Sequence, residues 1–370
     1  MRKSARLRTS LLLGVAGAVM VSGSGASAAT VDWRTITSPE VSANLEDIAV
    51  IGTRDAWAVG AEWTPEKMVG MAEHWDGQRW TKQTVPGSPS DTFTDVSASG
   101  SDDVWVLADT HGQGPSFRRW DGTEWTQPTP EDLPGIPGRV TLRDISAVSP
   151  DDAWAVGSYS PETGPRETLV QRWDGQAWSR VSTPDRQVEL VAVSALAPDN
   201  VWAVGWHTPE DFNVLTVLRW DGQTWHTTLI PVPGKHAQLM DIRAVSDQEV
   251  WATGQVEGQP VAMLWDGAKW RVLPRPDLST TAINSVAPDG NGGAWIAGHD
   301  YSDVEAGSTP LYLHWDGEAW RQGGSEAPDG VVTALGAVSG GAIWAVGTTS
   351  WCSCLVGQPL VQMHGRLPRW

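Results

Sequence analysis

Short apolar runs broken by turn residues recur along the chain at a nearly constant interval. One run has the form Val-Trp-Ala-Val-Gly and occurs seven times, with its Trp at Trp57, Trp105, Trp154, Trp202, Trp251, Trp295 and Trp344. The gaps between these Trp residues are 48, 49, 48, 49, 44 and 49 residues. A fixed period of this length predicts a repeat protein in which each unit is one small β-structure.

A second pattern, Trp-Asp-Gly-x-x-Trp, occurs six times between the first runs. It begins at Trp75, Trp120, Trp173, Trp220, Trp265 and Trp315 and closes at Trp80, Trp125, Trp178, Trp225, Trp270 and Trp320. An Asp-Gly pair between two β-runs predicts a hairpin, because Gly accepts the positive φ of the turn. We expect the two Trp side chains to face each other across that hairpin.

A third pattern, of the form Asp-Ile-x-Ala-Val, precedes the first, as in residues 144–148. Each unit therefore predicts four short strands, which we name A to D in chain order. Strand B carries the Val-Trp-Ala-Val-Gly run, and strands C and D flank the Asp-Gly turn. Four strands in about 48 residues, repeated seven times, predict an all-β fold, a seven-bladed β-propeller of four-stranded blades.

The two ends of the repeat array predict how the ring closes. The last unit has His364 in place of the first Trp of its hairpin and ends before a fourth strand is complete. Residues 33–39 begin with Trp33 and have the same Trp-x5-Pro spacing as residues 80–86. We expect the Trp33 segment to be the fourth strand of the last blade, because closure removes open sheet edges.

The first 28 residues have the pattern of a secretory signal peptide. Four basic residues precede an apolar run at residues 11–21, and Ala26-Ser27-Ala28 has the form of a cleavage site. The run is too short to span a membrane, and we expect no membrane span after it. The sequence therefore predicts a signal peptide at residues 1–28, a single propeller domain at residues 29–370, and a secreted protein.

Composition narrows the range of partners. The chain has 24 Trp against 3 Tyr and 3 Phe, and the repeated motifs account for most of this excess. Its formal net charge is −18, which argues against nucleic acid and against docking on anionic lipid, since both attract Lys and Arg. We expect a monomer without cofactor or metal, whose partner is an extracellular glycan or protein.

The repeat resembles that of a known family. Trp33, Leu45, Ile48-Ala49-Val50 and Trp57-Ala58-Val59-Gly60 are similar to the tectonin repeat, and later units repeat the likeness. More loosely, the Asp-Gly-x-x-Trp turn resembles the Asp-box turn of sialidase-like propellers, although this chain has Trp where those boxes have Ser or Thr. Tectonin-type propellers are typically lectins, so the resemblance implies a propeller that binds glycans.

Residues that break the repeat are candidates for function. Five aromatic residues outside the motifs follow strand B, where the sequence places the B–C loops: Trp63, Tyr159, Trp206, Tyr301 and Trp351. Acidic residues and a histidine accompany some of them: Glu66, Glu162, His207 and Glu210. Aromatic rings stack on the C–H face of a sugar, and carboxylates and imidazoles bind its hydroxyls. These nine residues are our predicted ligand-binding set; the alternative is that the aromatics cover the ends of neighbouring blades.

The sequence supports catalysis less well than ligand binding. The sequence shows no nucleophile elbow, metal-binding spacing or phosphate loop. Glu66, Glu162 and Glu210 are the residues available for a carboxylate pair of the kind that cleaves glycosidic bonds. Non-catalytic glycan recognition is therefore the leading interpretation, with a protein-interaction scaffold and a polysaccharide hydrolase or lyase as alternatives.

Two further groups of residues have candidate roles. Asp47, Asp95, Asp144 and Asp241 begin strand A in four units. We expect each carboxylate to accept hydrogen bonds from neighbouring backbone or indole N–H groups, with cation binding at the channel mouth as the alternative. Cys352 and Cys354 lie in the last B–C loop, where a small disulfide is the expected state outside the cell and intermolecular pairing the alternative.

Overall fold

The computed structural model describes residues 31–39, 41–87, 91–110, 114–128, 138–184, 187–207, 214–274, 276, 278, 281–303, 307–338, 341–349 and 357–365. The predicted signal peptide and the Cys352–Cys354 segment lie outside these residues. The described part of the chain is built of β-strands and contains no helix. Within it there is accordingly no helix of the length and apolar character that crossing a membrane requires.

Six blades are four-stranded antiparallel sheets whose strands follow chain order. Blade 1 has β2 (Ala43–Gly52), β3 (Asp55–Trp63), β4 (Met68–Trp75) and β5 (Trp80–Gln83). Blade 2 has β6 (Thr92–Gly100), β7 (Asp103–Asp109), β8 (Pro115–Trp120) and β9 (Trp125–Thr126). Blade 3 has β10 (Arg139–Ser149), β11 (Asp152–Ser160), β12 (Glu167–Trp173) and β13 (Trp178–Arg180).

The next three blades repeat this order. Blade 4 has β14 (Val188–Ala197), β15 (Asn200–His207), β16 (Val214–Trp220) and β17 (Trp225–Pro231). Blade 5 has β18 (Ala237–Ser246), β19 (Glu249–Val256), β20 (Gln259–Trp265) and β21 (Trp270–Val272). Blade 6 has β22 (Thr281–Pro288), β23 (Ala294–Asp300), β24 (Thr309–Trp315) and β25 (Trp320–Gln322). The seven blades form the predicted propeller.

Blade 7 joins the two ends of the chain. It comprises β27 (Val331–Ala337), β28 (Ile343–Thr348), β29 (Pro359–His364) and β1 (Val31–Thr35), the N-terminal strand. Strand β1 pairs antiparallel with β29, and Trp33 lies opposite His364. The short β26 (Gly324–Ser325) adds a parallel fifth strand on the other side of β1. The prediction that the Trp33 segment closes the ring is confirmed.

The paired Trp residues of each hairpin meet as the sequence predicts. Trp75 lies opposite Trp80, with ring centroids 5.8 Å apart, and the other five hairpins pair their Trp residues in the same register. The strand B Trp of one blade then packs against the hairpin pair of the next blade. Trp57, for example, lies 5.3 Å from Trp125 and 6.1 Å from Trp120. Three aromatic side chains thus fill a blade boundary.

The same packing continues across the closure. Trp344 of blade 7 packs on Trp75 and Trp80 of blade 1, with centroid distances of 5.0 and 5.5 Å. Between blades 6 and 7, Trp295 packs on Trp33 at 5.3 Å and on His364 at 4.6 Å. Trp33 and His364 therefore replace the usual Trp pair, so the seam keeps the packing of the other boundaries.

Each of the seven hydrophobic core clusters lies between two consecutive blades. Between blades 3 and 4, Trp154 and Val156 of one strand B meet Val201 and Ala203 of the next. Alternate residues of a strand point to opposite faces, so each strand B contributes to two clusters at once. The core is therefore a ring of blade interfaces.

The Gly that ends the strand B motif accommodates a bulge in strand A. In blade 3 the register shifts between Leu142 and Asp144, opposite Gly157. A Cβ atom on Gly157 would lie 2.0 Å from the Thr141 carbonyl oxygen, so a side chain does not fit there. All seven blades have a bulge at this point of strand A, opposite a Gly in six blades and opposite Ala108 in blade 2. A bulge bends the strand and redirects the side chains beside it.

Replacing Trp33 by Ala tests the closure. Trp33 is fully buried between blades 6 and 7, and loss of a buried Trp side chain typically costs about 3–5 kcal/mol. We expect a loss of that size in the free energy of unfolding, measured by denaturant titration. Trp63→Ala is the matched control, because exposed side chains contribute about 0.5 kcal/mol or less. Equal losses in the two variants would show that the N-terminal strand does not hold the ring closed.

Candidate functional site

One end of the ring differs from blade to blade and holds most of the predicted ligand residues. In antiparallel blades of this order, the B–C and D–A connections lie at one end of the strands. We call this end the upper face and the end with the A–B and C–D turns the lower face. The Trp hairpins and their Asp-Gly turns occupy the lower face, so the repeat motifs leave the upper face free to vary.

Two of the predicted aromatics are exposed on the upper face. Trp63 is the last residue of β3 and is 38% exposed, and Tyr301 directly follows β23 and is 45% exposed. Both lie three residues after the Gly of their strand B motif, so they occupy equivalent places on blades 1 and 6. They are the exposed aromatic side chains of the described chain.

Tyr159 is not exposed on the upper face. Its ring is 7% exposed and packs in the core between blades 2 and 3, with the Arg180 guanidinium 5.6 Å from the ring centroid. Tyr159 lies two residues after its motif Gly, whereas Trp63 lies three residues after its own, so the period-2 alternation turns the two rings to opposite sides of their blades. Tyr159 covers a blade interior, which is the alternative role that the sequence left open.

Trp206 has an intermediate environment. It is half-buried and lies one residue after its motif Gly. Strand pairing places it directly opposite Glu189 of β14, while His207 lies opposite Val188. Trp63, Tyr159 and Trp206 belong to strand B itself, because these strands continue past the motif. Their assignment to the B–C loops was wrong, and their orientation follows from strand geometry.

The predicted acidic residues are only partly described. Glu66 and Glu162 are exposed in the B–C turns of blades 1 and 3, with blade 2 between them. The Thr64 hydroxyl donates to the Lys67 carbonyl and holds the turn that carries Glu66. Glu210, Trp351, Cys352 and Cys354 lie outside the described residues, so their predicted roles stay predictions.

Sequence reasoning missed a charged cluster on the same face. The guanidinium groups of Arg143 and Arg166, both from blade 3, contact the carboxylate of Glu189 in blade 4. Glu189 is buried, and the two Arg side chains remain about half exposed. Alignment of the seven units could have identified Arg143 as an exception to the repeat. Its position is occupied in the other blades by Glu46, Thr94, Val191, Met240, Asn284 and Thr333.

The strand A carboxylates link neighbouring blades around the channel. The carboxylate of Asp144 accepts the Val193 N–H of the next blade at 2.6 Å, and Asp95 accepts the Ile145 N–H at 2.6 Å. Asp47 and Asp241 make the equivalent bonds to Val96 and Val286. The expectation that these side chains satisfy backbone N–H groups is confirmed, and the bonds lie between blades.

Burial perturbs these carboxyls. Burial, and then the charges of Asp144 and Asp47, raise the pKa of Asp95 well above its usual range. Burial also raises the pKa of Asp144 to about 6 and raises that of Asp241. Burial lowers the pKa of Arg243, but the facing carboxylates outweigh it and raise that pKa above its usual value. Arg243 thus supplies a positive charge inside the channel.

The channel carboxylates are not arranged as a metal site. Across the residues that the structure describes, no group of three or more His, Cys, Asp or Glu side chains has the arrangement that a metal ion requires. The carboxylates instead accept backbone hydrogen bonds and neutralise Arg243, which lies 3.5 Å from Asp241. Their described contacts are those of a scaffold.

Comparison with solved structures identifies the fold. YCF48 bound to a D1 peptide is 19% identical, with a TM-score of 0.59 over 90% of this chain and 96% of that chain. YCF48 from Cyanidioschyzon merolae is 14% identical, with a TM-score of 0.58 over 90% and 99%. The WD40 propeller domain of Doa1 is 10% identical, with a TM-score of 0.60 over 91% and 98%. At these identities the likeness shows a β-propeller and no particular ligand.

Comparison with protein-family models found no match, and comparison with curated proteins found none either. A fucose-specific lectin from Aleuria aurantia is 14% identical, with a TM-score of 0.49 over 76% of this chain and 95% of that chain, an overlap too low to bear on function. The resemblance to tectonin repeats and to Asp-box turns therefore stays a prediction.

The channel carboxyls make stability depend on pH. A carboxyl with a raised folded pKa stabilises the fold fully below its unfolded pKa of about 3.9, and this contribution is lost as pH rises through the folded pKa. For Asp144 the loss falls between about pH 4 and pH 6. Asp144→Asn keeps an oxygen acceptor for the Val193 N–H without a charge. We expect the Tm of this variant, relative to wild type, to increase from pH 4 to pH 8.

Asp174→Asn is the control, for which we expect the opposite pH dependence of stability. Backbone N–H bonds from Ala177 and Gln176 lower the pKa of this exposed turn carboxyl. Its stabilising contribution is therefore present above about pH 4 and is lost as pH falls. The Tm of Asp174→Asn should fall below that of wild type at neutral pH and approach it in acid. Parallel pH profiles for the two variants would contradict the assigned role of the channel carboxyls.

Proposed function

We propose that this chain is an extracellular, non-catalytic recognition protein that binds glycans through its upper face. The observation that carries the proposal is the exposure of Trp63 and Tyr301 on that face, while the motif Trp residues are buried or half-buried. An exposed aromatic ring that the scaffold does not use offers a stacking platform for the apolar face of a sugar ring.

A polar group beside the Tyr301 ring suits sugar hydroxyls. The imidazole of His299 lies 5.9 Å from the Tyr301 ring, and burial lowers its pKa, which favours the neutral form that both donates and accepts. A few polar groups around an aromatic surface are typical of small-ligand sites.

The extracellular part of the proposal rests on the sequence. Residues 1–28 have the pattern of a signal peptide, and an expected Cys352–Cys354 disulfide would suit an oxidising compartment. A secreted recognition protein meets glycans at cell surfaces and in polysaccharide matrices, which makes a sugar a natural ligand for the aromatic face.

A protein partner is the second candidate. The solved YCF48 propeller was determined with a D1 peptide bound, and it has the same fold. In blade 4 the outer strand β17 is seven residues long, and its Leu229 is exposed. An exposed apolar edge strand is a surface on which an extended peptide can pair.

A glycan array tests the leading proposal. We compare wild type with the double variant Trp63→Ala/Tyr301→Ala, and we expect at least a tenfold loss of affinity for the glycan bound best, equal to about 1.4 kcal/mol. Leu229→Ala is the control, because it removes an exposed apolar side chain from an outer strand and should not change binding.

Other outcomes discriminate the alternatives. Absence of glycan binding by wild type, or equal binding by wild type and the double variant, contradicts the proposal. Capture of a protein partner that sugars do not displace, and that Leu229→Ala weakens, supports the scaffold alternative.

A further inference from the structure

The boundary between blades 3 and 4 carries two guanidinium groups on one buried carboxylate. Nη2 of Arg143 lies 3.2 Å from Oε1 of Glu189, and Nη1 of Arg166 contacts the other carboxylate oxygen. The Glu189 side chain is 5% exposed, whereas those of Arg143 and Arg166 are 49% and 46% exposed. The carboxylate is thus covered by the two Arg side chains, which also face solvent.

These residues converge on the upper face from two strands and a B–C connection. Arg143 is the bulged residue of β10, Arg166 immediately precedes β12, and Glu189 is the second residue of β14. Beside them, the Thr168 hydroxyl exchanges hydrogen bonds with the backbone of Val188 and fixes blade 3 against blade 4. The Arg side chains therefore start from a rigid boundary.

The propeller scaffold does not require this cluster. Arg143 has no basic counterpart at the other six bulges. The repeat position of Glu189 is filled by Asn44, Thr92, Thr141, Gln238, Ala282 and Val331 in the other blades. Those six blades keep the same fold without an acid at that position, so the cluster is a local addition to the upper face.

The charge of the cluster favours an anionic group. Two guanidiniums on one carboxylate leave one net positive charge, in a chain whose net charge is −18. Each guanidinium has five N–H donors in a planar fork that matches a carboxylate, and Glu189 occupies only part of them. Distant acidic residues are screened beyond about 8 Å at physiological ionic strength, so these nearby donors dominate.

An aromatic platform lies beside the cluster. Trp206 is directly opposite Glu189 in the β14–β15 ladder, and directly opposite residues have Cβ atoms about 5 Å apart. We propose that this site binds an acidic saccharide of the hexuronic acid class, with Arg143 and Arg166 on its carboxylate and Trp206 beneath its ring. The inference rests on the proposed glycan binding and names its ligand class.

Oligogalacturonate and its methyl ester are suitable probes, because they share one sugar skeleton and differ in charge. Isothermal titration should show at least tenfold tighter binding of the acid than of the ester by wild type. Arg166→Gln should lose at least tenfold in affinity for the acid and leave binding of the ester nearly unchanged. Trp206→Ala should weaken both ligands.

Arg180→Gln is the matched control. Arg180 is an exposed Arg of blade 3 that also pairs with a carboxylate, Glu167, at 3.2 Å. We expect it to bind the acid as wild type does. Equal affinity for the acid and the ester, or equal losses in the two Arg variants, overturns the inference.

A neutral glycan panel in the same assay separates the two proposals. Binding of neutral glycans without preference for the acid overturns this inference and leaves the proposed function intact. Binding of no saccharide overturns both, and binding of acidic peptides alone then favours a protein partner.

Discussion

The packing of one Trp against a pair of aromatic rings on the next blade is the interaction on which the ring depends. Trp57 on Trp120 and Trp125 illustrates a contact that recurs around the propeller. Large flat side chains bury much area with few rotatable bonds, so this contact joins two sheets with little loss of side-chain entropy. Each blade packs its strand B Trp on the next blade and contacts the Trp of the preceding blade with its own hairpin. Loss of any one blade boundary therefore opens the ring.

Closure follows from the same rule. Blade 7 lacks its own Trp pair, and the N-terminal strand supplies Trp33 opposite His364, on which Trp295 packs. This could be predicted from the sequence, because the missing strand and the spare Trp-x5-Pro segment were both visible as exceptions to one repeat. The blade number, the strand order and the Trp hairpins could be predicted for the same reason, since each depends on local spacing that recurs along the chain.

The candidate site was less predictable, for two physical reasons. First, strand geometry with period 2 decides where a side chain points, and an offset of one residue buries Tyr159 while Trp63 stays exposed. Second, the contacts of Glu189 with Arg143 and Arg166 join residues 46 and 23 positions apart in different blades. No local pattern encodes such a contact, and the bulge that presents Arg143 became evident only from the strand register.

The lower face carries the repeated motifs and the upper face carries the residues that differ between blades, and this affects ligand binding. The scaffold uses both sides of every blade and the lower hairpins, so variation between blades collects where strand B ends and strand A begins. The upper ends of the blades carry different chemistry, with Trp63 three residues after the motif Gly on blade 1 and Trp206 one residue after it, opposite Glu189, on blade 4. A repeating scaffold with non-repeating ends favours a few distinct binding places over seven equal ones. Avidity through identical sites is therefore not the expected mode of recognition, and selectivity rests on the individual blade boundary.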